Sequence, residues 1–149
     1  MLIDHAAIAA RIPHQGRMCL LDAVTEWSSE MIRCRASSHR DADNPLRAEG
    51  RLGAACGIEY AAQAMAVHGA LLAESAARPR QGYLASVRGV ELLATRLDDI
   101  AGDLELHAER LSGDDNNVLY QFTVSGDGQR LLSGRAAVIL DAGKGQTAP

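Results

Sequence analysis

Residues 31–36 read as period two: Ile32, Cys34 and Ala36 are apolar, and Arg33 and Arg35 between them are charged. That alternation predicts a strand with one buried face. The pattern returns twice. Leu104, Leu106 and Ala108 alternate with Glu105, His107 and Glu109, and Val118, Tyr120, Phe122 and Val124 alternate with Leu119, Gln121 and Thr123. Three apolar runs of strand length join them: "MCLLDAV" (18–24), "YLASVRGVELL" (83–93) and "RLLSGRAAVIL" (130–140). "EWSSE" reads as the hairpin turn between the first two strands, and "SGDDNN" and "GDG" as later turns.

Two segments break the alternation towards helix. Asp4 can cap a short helix through "HAAIAAR", which Pro13 and Gly16 stop. Residues 54–77 predict one long Ala-rich helix, apolar nearly all round and therefore buried. Residues 37–53, "SSHRDADNPLRAEGRLG", are polar and turn-rich, and a loop of this length inside a compact domain is usually functional. The order is short helix, two strands, long loop, buried helix, four strands. That is an α+β layout: about six antiparallel strands around one helix, in a single domain spanning 1–149. The C-terminal "DAGKGQTAP" reads as frayed.

Composition narrows the function. A net charge of -4 with only 3% aromatic residues argues against nucleic acid. No apolar run is long enough to span a membrane, and the N-terminus lacks the pattern of a secretory signal. Cys19, Cys34 and Cys56 form no metal-binding or disulfide spacing, so the expected compartment is the cytoplasm.

The long helix holds an exception to its own pattern. "GIEYAAQAMAVHGAL" carries one carboxylate, Glu59, and one amide, Gln63, four residues on and so on the same face. Among Ile58, Ala61, Ala62 and Met65, Glu59 is expected to be desolvated, which favours the neutral acid. Gln63 is placed to orient it and is also a candidate substrate-binding residue. The alternative is a structural glutamate that caps a backbone group. His68 lies nine residues beyond Glu59, about half a turn round the helix, so it faces away and reads as structural.

Three motifs in order carry a family resemblance. "IPHQGRMCLLDAV" resembles the "PHR-x-P-x-LL-x-DRV" opening of the β-hydroxyacyl-acyl-carrier-protein dehydratases, "GIEYAAQA" their "IIEALAQA" helix, and "LDDIAGDLEL" their "PVxPGDxL" strand entry. The closer resemblance is to the dehydratase-like hotdog proteins of aryl-polyene pigment clusters. It implies the hotdog fold, a sheet wrapped round one long helix, as a homodimer or as a heterodimer with another hotdog subunit. It also implies sites at the dimer interface, with the loop of one subunit facing the helix of the other. The substrate implied is a thioester on acyl carrier protein, with no metal or organic cofactor.

The chain departs from the family at the base. Where the dehydratases carry "GHFPG" before the helix, the family spacing leads to Pro45 in "DNPLR", with no histidine. The "PG" that starts their helix is "GA" here, Gly53–Ala54. Glu59 and His14 are then the catalytic candidates, His14 either supplying the missing base or anchoring the N-terminal loop. His39 could serve only if the long loop shifts. Asn44 could hydrogen-bond a thioester or be turn chemistry before Pro45. The amides of Ala54 and Ala55 start the helix and could polarise an acyl carbonyl. Cys56 sits in the same turn, where a thiol can be activated or simply packed. His107 and His5 are expected to be solvated.

Three readings stand. In dehydration a base takes the α-proton and Glu59 protonates the leaving hydroxyl. In thioester hydrolysis an ionised Glu59 activates water. In the third, the chain is a non-catalytic subunit of a heteromeric complex. The missing base favours the third reading over a standalone dehydratase, and the Glu59–Gln63 pair favours catalysis.

Overall fold

The computed structural model describes residues 3–75, 82–114 and 116–140. The N-terminal segment forms β1 (Ile3–Asp4) and α1 (His5–Ala9), then β2 (Ala23–Trp27) and β3 (Met31–Ala36). The central helix α2 (Gly57–Ser75) follows, then β4 (Gly82–Leu92), β5 (Leu104–Gly113), β6 (Asn117–Gly126) and β7 (Gln129–Leu140). The seven strands make one antiparallel sheet in the order β1-β2-β3-β5-β6-β7-β4. The sheet has one strand more than expected, because two-residue β1 is too short to leave a periodic signal.

Burial follows the alternation. Along β3, β5 and β6 the apolar members face inward, and Ile32, Leu104, Leu106, Phe122 and Val124 are at most 1% exposed. Burying each such side chain stabilises the fold by roughly 1.5–3 kcal/mol. α2 lies against the inner face of β3, β4, β5 and β6. Its start presses on β7: a Cβ at Gly57 would come within 2.6 Å of Leu132 Cδ2, so glycine permits the close approach. Expected burial all round the helix is corrected. Glu59, Ala62, Ala66, Gly69 and Ala70 form a partly exposed stripe that the sheet does not cover.

Three boundaries differ from expectation. Residues 19–22 of "MCLLDAV" are not strand, and β2 instead continues through Trp27, leaving Ser28–Glu30 to turn. The reason is that Leu20 N–H is committed to a side chain of α2, outside any strand ladder. The long helix begins with a 3-10 turn at Ala54–Cys56, is α-helical from Gly57, and ends at Ser75. The expected extension to residue 77 and the frayed C-terminal segment lie outside the described residues.

Candidate active site

Glu59 projects from the second residue after the α2 start, and two nitrogens meet one of its oxygens. His14 Nε2 is 2.9 Å from Glu59 Oε2, and Gln63 Nε2 donates to the same oxygen at 3.1 Å. Glu59 Oε1 has no hydrogen-bond partner among the described residues. The helix repeat places Gln63 directly over Glu59. The segment 13–20 reaches the same point because Gln63 holds it. Leu20 N–H donates to Gln63 Oε1 at 2.9 Å, and Gln63 Nε2 donates to Met18 O at 2.7 Å.

Gln63 is fully buried and all three of its contacts are made, so its amide cannot turn over without losing them. Sequence reasoning placed Gln63 beside Glu59 to orient it and also as a substrate-binding residue; Gln63 is buried with its Nε2 committed to Met18 O and Glu59 Oε2, which corrects the second role. The same reasoning missed Met18 and Leu20, which act through backbone atoms and so leave no signature in the sequence.

Glu59 is less buried than expected. Its side chain is 33% exposed and that of His14 27%, so the carboxyl faces open space and is not enclosed by Ile58, Ala61, Ala62 and Met65. His14 is close enough to act on Glu59, but its free nitrogen is shut away: Nδ1 is buried with no hydrogen-bond partner.

The other candidates separate. Asn44 is buried and its amide is consumed. Nδ2 donates to Ser38 O and Tyr60 Oη at 2.8 and 3.0 Å, and Oδ1 accepts from Leu46 N–H at 2.8 Å. It pins the long loop to α2 and has no polar atom left for a substrate, which corrects the binding expectation. Tyr60 is the anchor for this loop, and burial raises its phenol pKa.

The Ala54 amide is also spent, donating to Thr95 O at 3.1 Å. Ala55 is exposed, and its amide has no partner among the described residues. It is the helix-start donor that remains available. Burial pushes the Cys56 thiol pKa up, against activation by the helix start.

The remaining histidines are accounted for by the packing. His39 is fully buried with Nε2 on Ile100 O at 3.0 Å, and desolvation lowers its pKa, so it faces away from Glu59. His68 is fully buried, between Tyr120 Oη at 2.7 Å and Ser28 O at 2.8 Å, in the structural role its place on the helix implies. His107 is half-buried, not solvated, because it lies opposite Arg33 on β3 and Thr123 on β6. Exposed His5 donates from Nδ1 to Leu21 O at 2.7 Å. No cluster of metal-ligating side chains occurs among the described residues. No helix there is long and apolar enough to cross a membrane.

Comparison with solved structures places this architecture among hotdog proteins. The chain resembles one from the dehydratase heterocomplex ApeI:P of Xenorhabdus doucetiae, with a TM-score of 0.79, 23% identity and 89% of each chain covered. A thioesterase of Pseudomonas aeruginosa matches with a TM-score of 0.59 and 14% identity over 78% of both chains. One from Staphylococcus aureus matches at 0.60 and 11%, covering 79% of this chain and 91% of its own. At these identities the likeness shows the fold, an antiparallel hotdog sheet around one helix. No curated protein sequence matches the chain significantly. The sequence itself fits the family model of the ApeP-like dehydratases over residues 6–146, nearly its whole length. The chain therefore belongs to the ApeP-like dehydratase family.

Proposed function

We propose that this chain dehydrates a 3-hydroxyacyl thioester carried on acyl carrier protein, with Glu59 as the proton donor to the leaving hydroxyl. The observation that carries the reading is the state of the Glu59 carboxyl: one oxygen is held by His14 and Gln63, the other has no hydrogen-bond partner among the described residues, and the side chain is one-third exposed. In the step, a base removes the proton from the α-carbon and the α–β double bond forms. The β-carbon–oxygen bond breaks, and the proton on Glu59 leaves with the hydroxyl as water. The unpartnered Ala55 amide, at the positive end of the helix, can hydrogen-bond the thioester oxygen as negative charge gathers there.

The base comes from a second hotdog chain. Within this chain the long loop offers no histidine to Glu59: position 44 is a committed asparagine and His39 is sealed on Ile100. The partly exposed stripe on α2 runs beside Glu59 and leaves room for a partner's loop. The solved relative from Xenorhabdus doucetiae is itself a heterocomplex, which supports a heteromeric assembly over a homodimer. Such a protein acts in the cytoplasm, where acyl carrier protein is charged. The whole chain is one catalytic domain in this reading.

The test is incubation of a 3-hydroxyacyl-carrier substrate with the purified chain, alone and with a second hotdog subunit, followed by mass spectrometry. Loss of water that depends on the second subunit supports the proposal. Release of the free acid indicates a thioesterase instead.

A further inference from the structure

We infer that His14 is a positioning residue that donates to Glu59 and thereby assigns the transferable proton to Glu59 Oε1, and that it is not the base. This rests on the reading of Glu59 as proton donor. Gln63 Nε2 already donates to Glu59 Oε2, and its orientation is fixed because Leu20 N–H occupies its oxygen. His14 Nε2 meets the same carboxylate oxygen at 2.9 Å. An ionised carboxylate only accepts, so Nε2 of His14 carries the hydrogen. The one lone pair left on the ring is then on Nδ1.

Nδ1 is buried and touches no polar group. A lone pair walled off in this way cannot reach a substrate proton, and a base must come within hydrogen-bond distance of the proton it takes. A hydrogen on Nδ1 would be buried with no acceptor, which disfavours that tautomer. With both donors on Oε2, an acid proton on Glu59 resides on Oε1. That is the oxygen without a partner among the described residues, on a side chain one-third exposed.

The first test needs no turnover. Nitrogen-15 NMR of the His14 ring in the purified chain at neutral pH should show Nε2 protonated and Nδ1 bare. A hydrogen on Nδ1, in the other tautomer or in an imidazolium, overturns the inference. The second test compares His14→Gln, whose amide nitrogen replaces the Nε2–H donor, with His14→Phe, which has none. His14→Phe should lose about tenfold or more in kcat, the effect of one hydrogen bond to a charged group, with KM little changed. His14→Gln should recover most of that loss. If the folded His14→Gln is as inactive as His14→Phe, His14 is the base. If both keep full turnover, it positions nothing. Retained turnover in Glu59→Gln would instead strike the functional reading and leave the tautomer result standing.

Discussion

Gln63 makes three hydrogen bonds from a fully buried amide, and two of them link the helix to a segment more than forty residues earlier in the chain. Replacing it with leucine keeps the volume and strands Met18 O and Leu20 N–H. Leaving buried backbone groups unpaired costs about 1–3 kcal/mol each. Gln63→Leu should therefore lower the unfolding free energy by about 2–6 kcal/mol, read in urea unfolding as a lower midpoint, and activity should fall with it as Glu59 loses its orienter. Unchanged stability would mean that residues 13–20 are held by other contacts.

His68 gives a second prediction at this scale. Neutral, it donates to Ser28 O and accepts from Tyr120 Oη, and desolvation lowers its pKa from the ordinary 6.5. The sign follows from linkage. Above 6.5 both folded and unfolded forms are neutral and the contribution is complete. As the pH falls below that value the unfolded chain takes up the proton first, and stability is lost until the folded value is reached. The slope is about 1.4 kcal/mol per pH unit for each histidine that stays neutral. His39 and His107 shift the same way and add to it, both chiefly through desolvation. Denaturant unfolding at pH 7.5 and pH 5.5 should show the loss, and His68→Gln should remove part of the pH dependence whatever it does to stability.

At the scale of elements, the sheet was legible where one face is wet. β3, β5 and β6 each show the alternation in sequence and again in burial. Legibility failed where backbone groups bond to side chains and not to a strand. Leu20 is apolar enough for a strand, but its N–H serves Gln63 and its carbonyl accepts from Ser38 in the neighbouring loop. The helix misled in a related way. Its composition implied burial on all sides, yet the sheet covers only part of it and leaves Glu59 one-third exposed.

The site was legible by halves. Glu59 and Gln63 follow from the helix repeat, whereas His14 entered only through the family resemblance, since no local pattern brings it to a residue 45 positions away.

Strand β4 adds a prediction. Among the described residues it pairs only with β7 and forms the sheet's edge, and Leu84, Leu92 and, just beyond it, Leu93 are between 42% and 59% exposed. A long apolar edge invites another strand. Leu84→Lys with Leu92→Lys should weaken association with a second hotdog chain, read by light scattering, while circular dichroism stays unchanged. Equal masses for variant and parent would place the interface elsewhere.

For the whole molecule, family membership, the hotdog sheet and the geometry of Glu59 converge on dehydration, and the missing loop histidine converges on a partner. What composition contributed was an expectation: an acidic chain poor in aromatic residues argues against nucleic acid as a partner. The central claim is that Glu59 supplies the proton in a site completed by a second chain. Glu59→Gln keeps the shape and removes the proton, and general acids contribute about 10² to 10⁴ in rate. The most direct measurement is mass spectrometry of a 3-hydroxyacyl-carrier substrate treated with wild-type or Glu59→Gln chain in the presence of the second subunit. The account predicts loss of water with the wild type and a rate at least about a hundredfold lower with Glu59→Gln. Equal rates of water loss from the two proteins would contradict it.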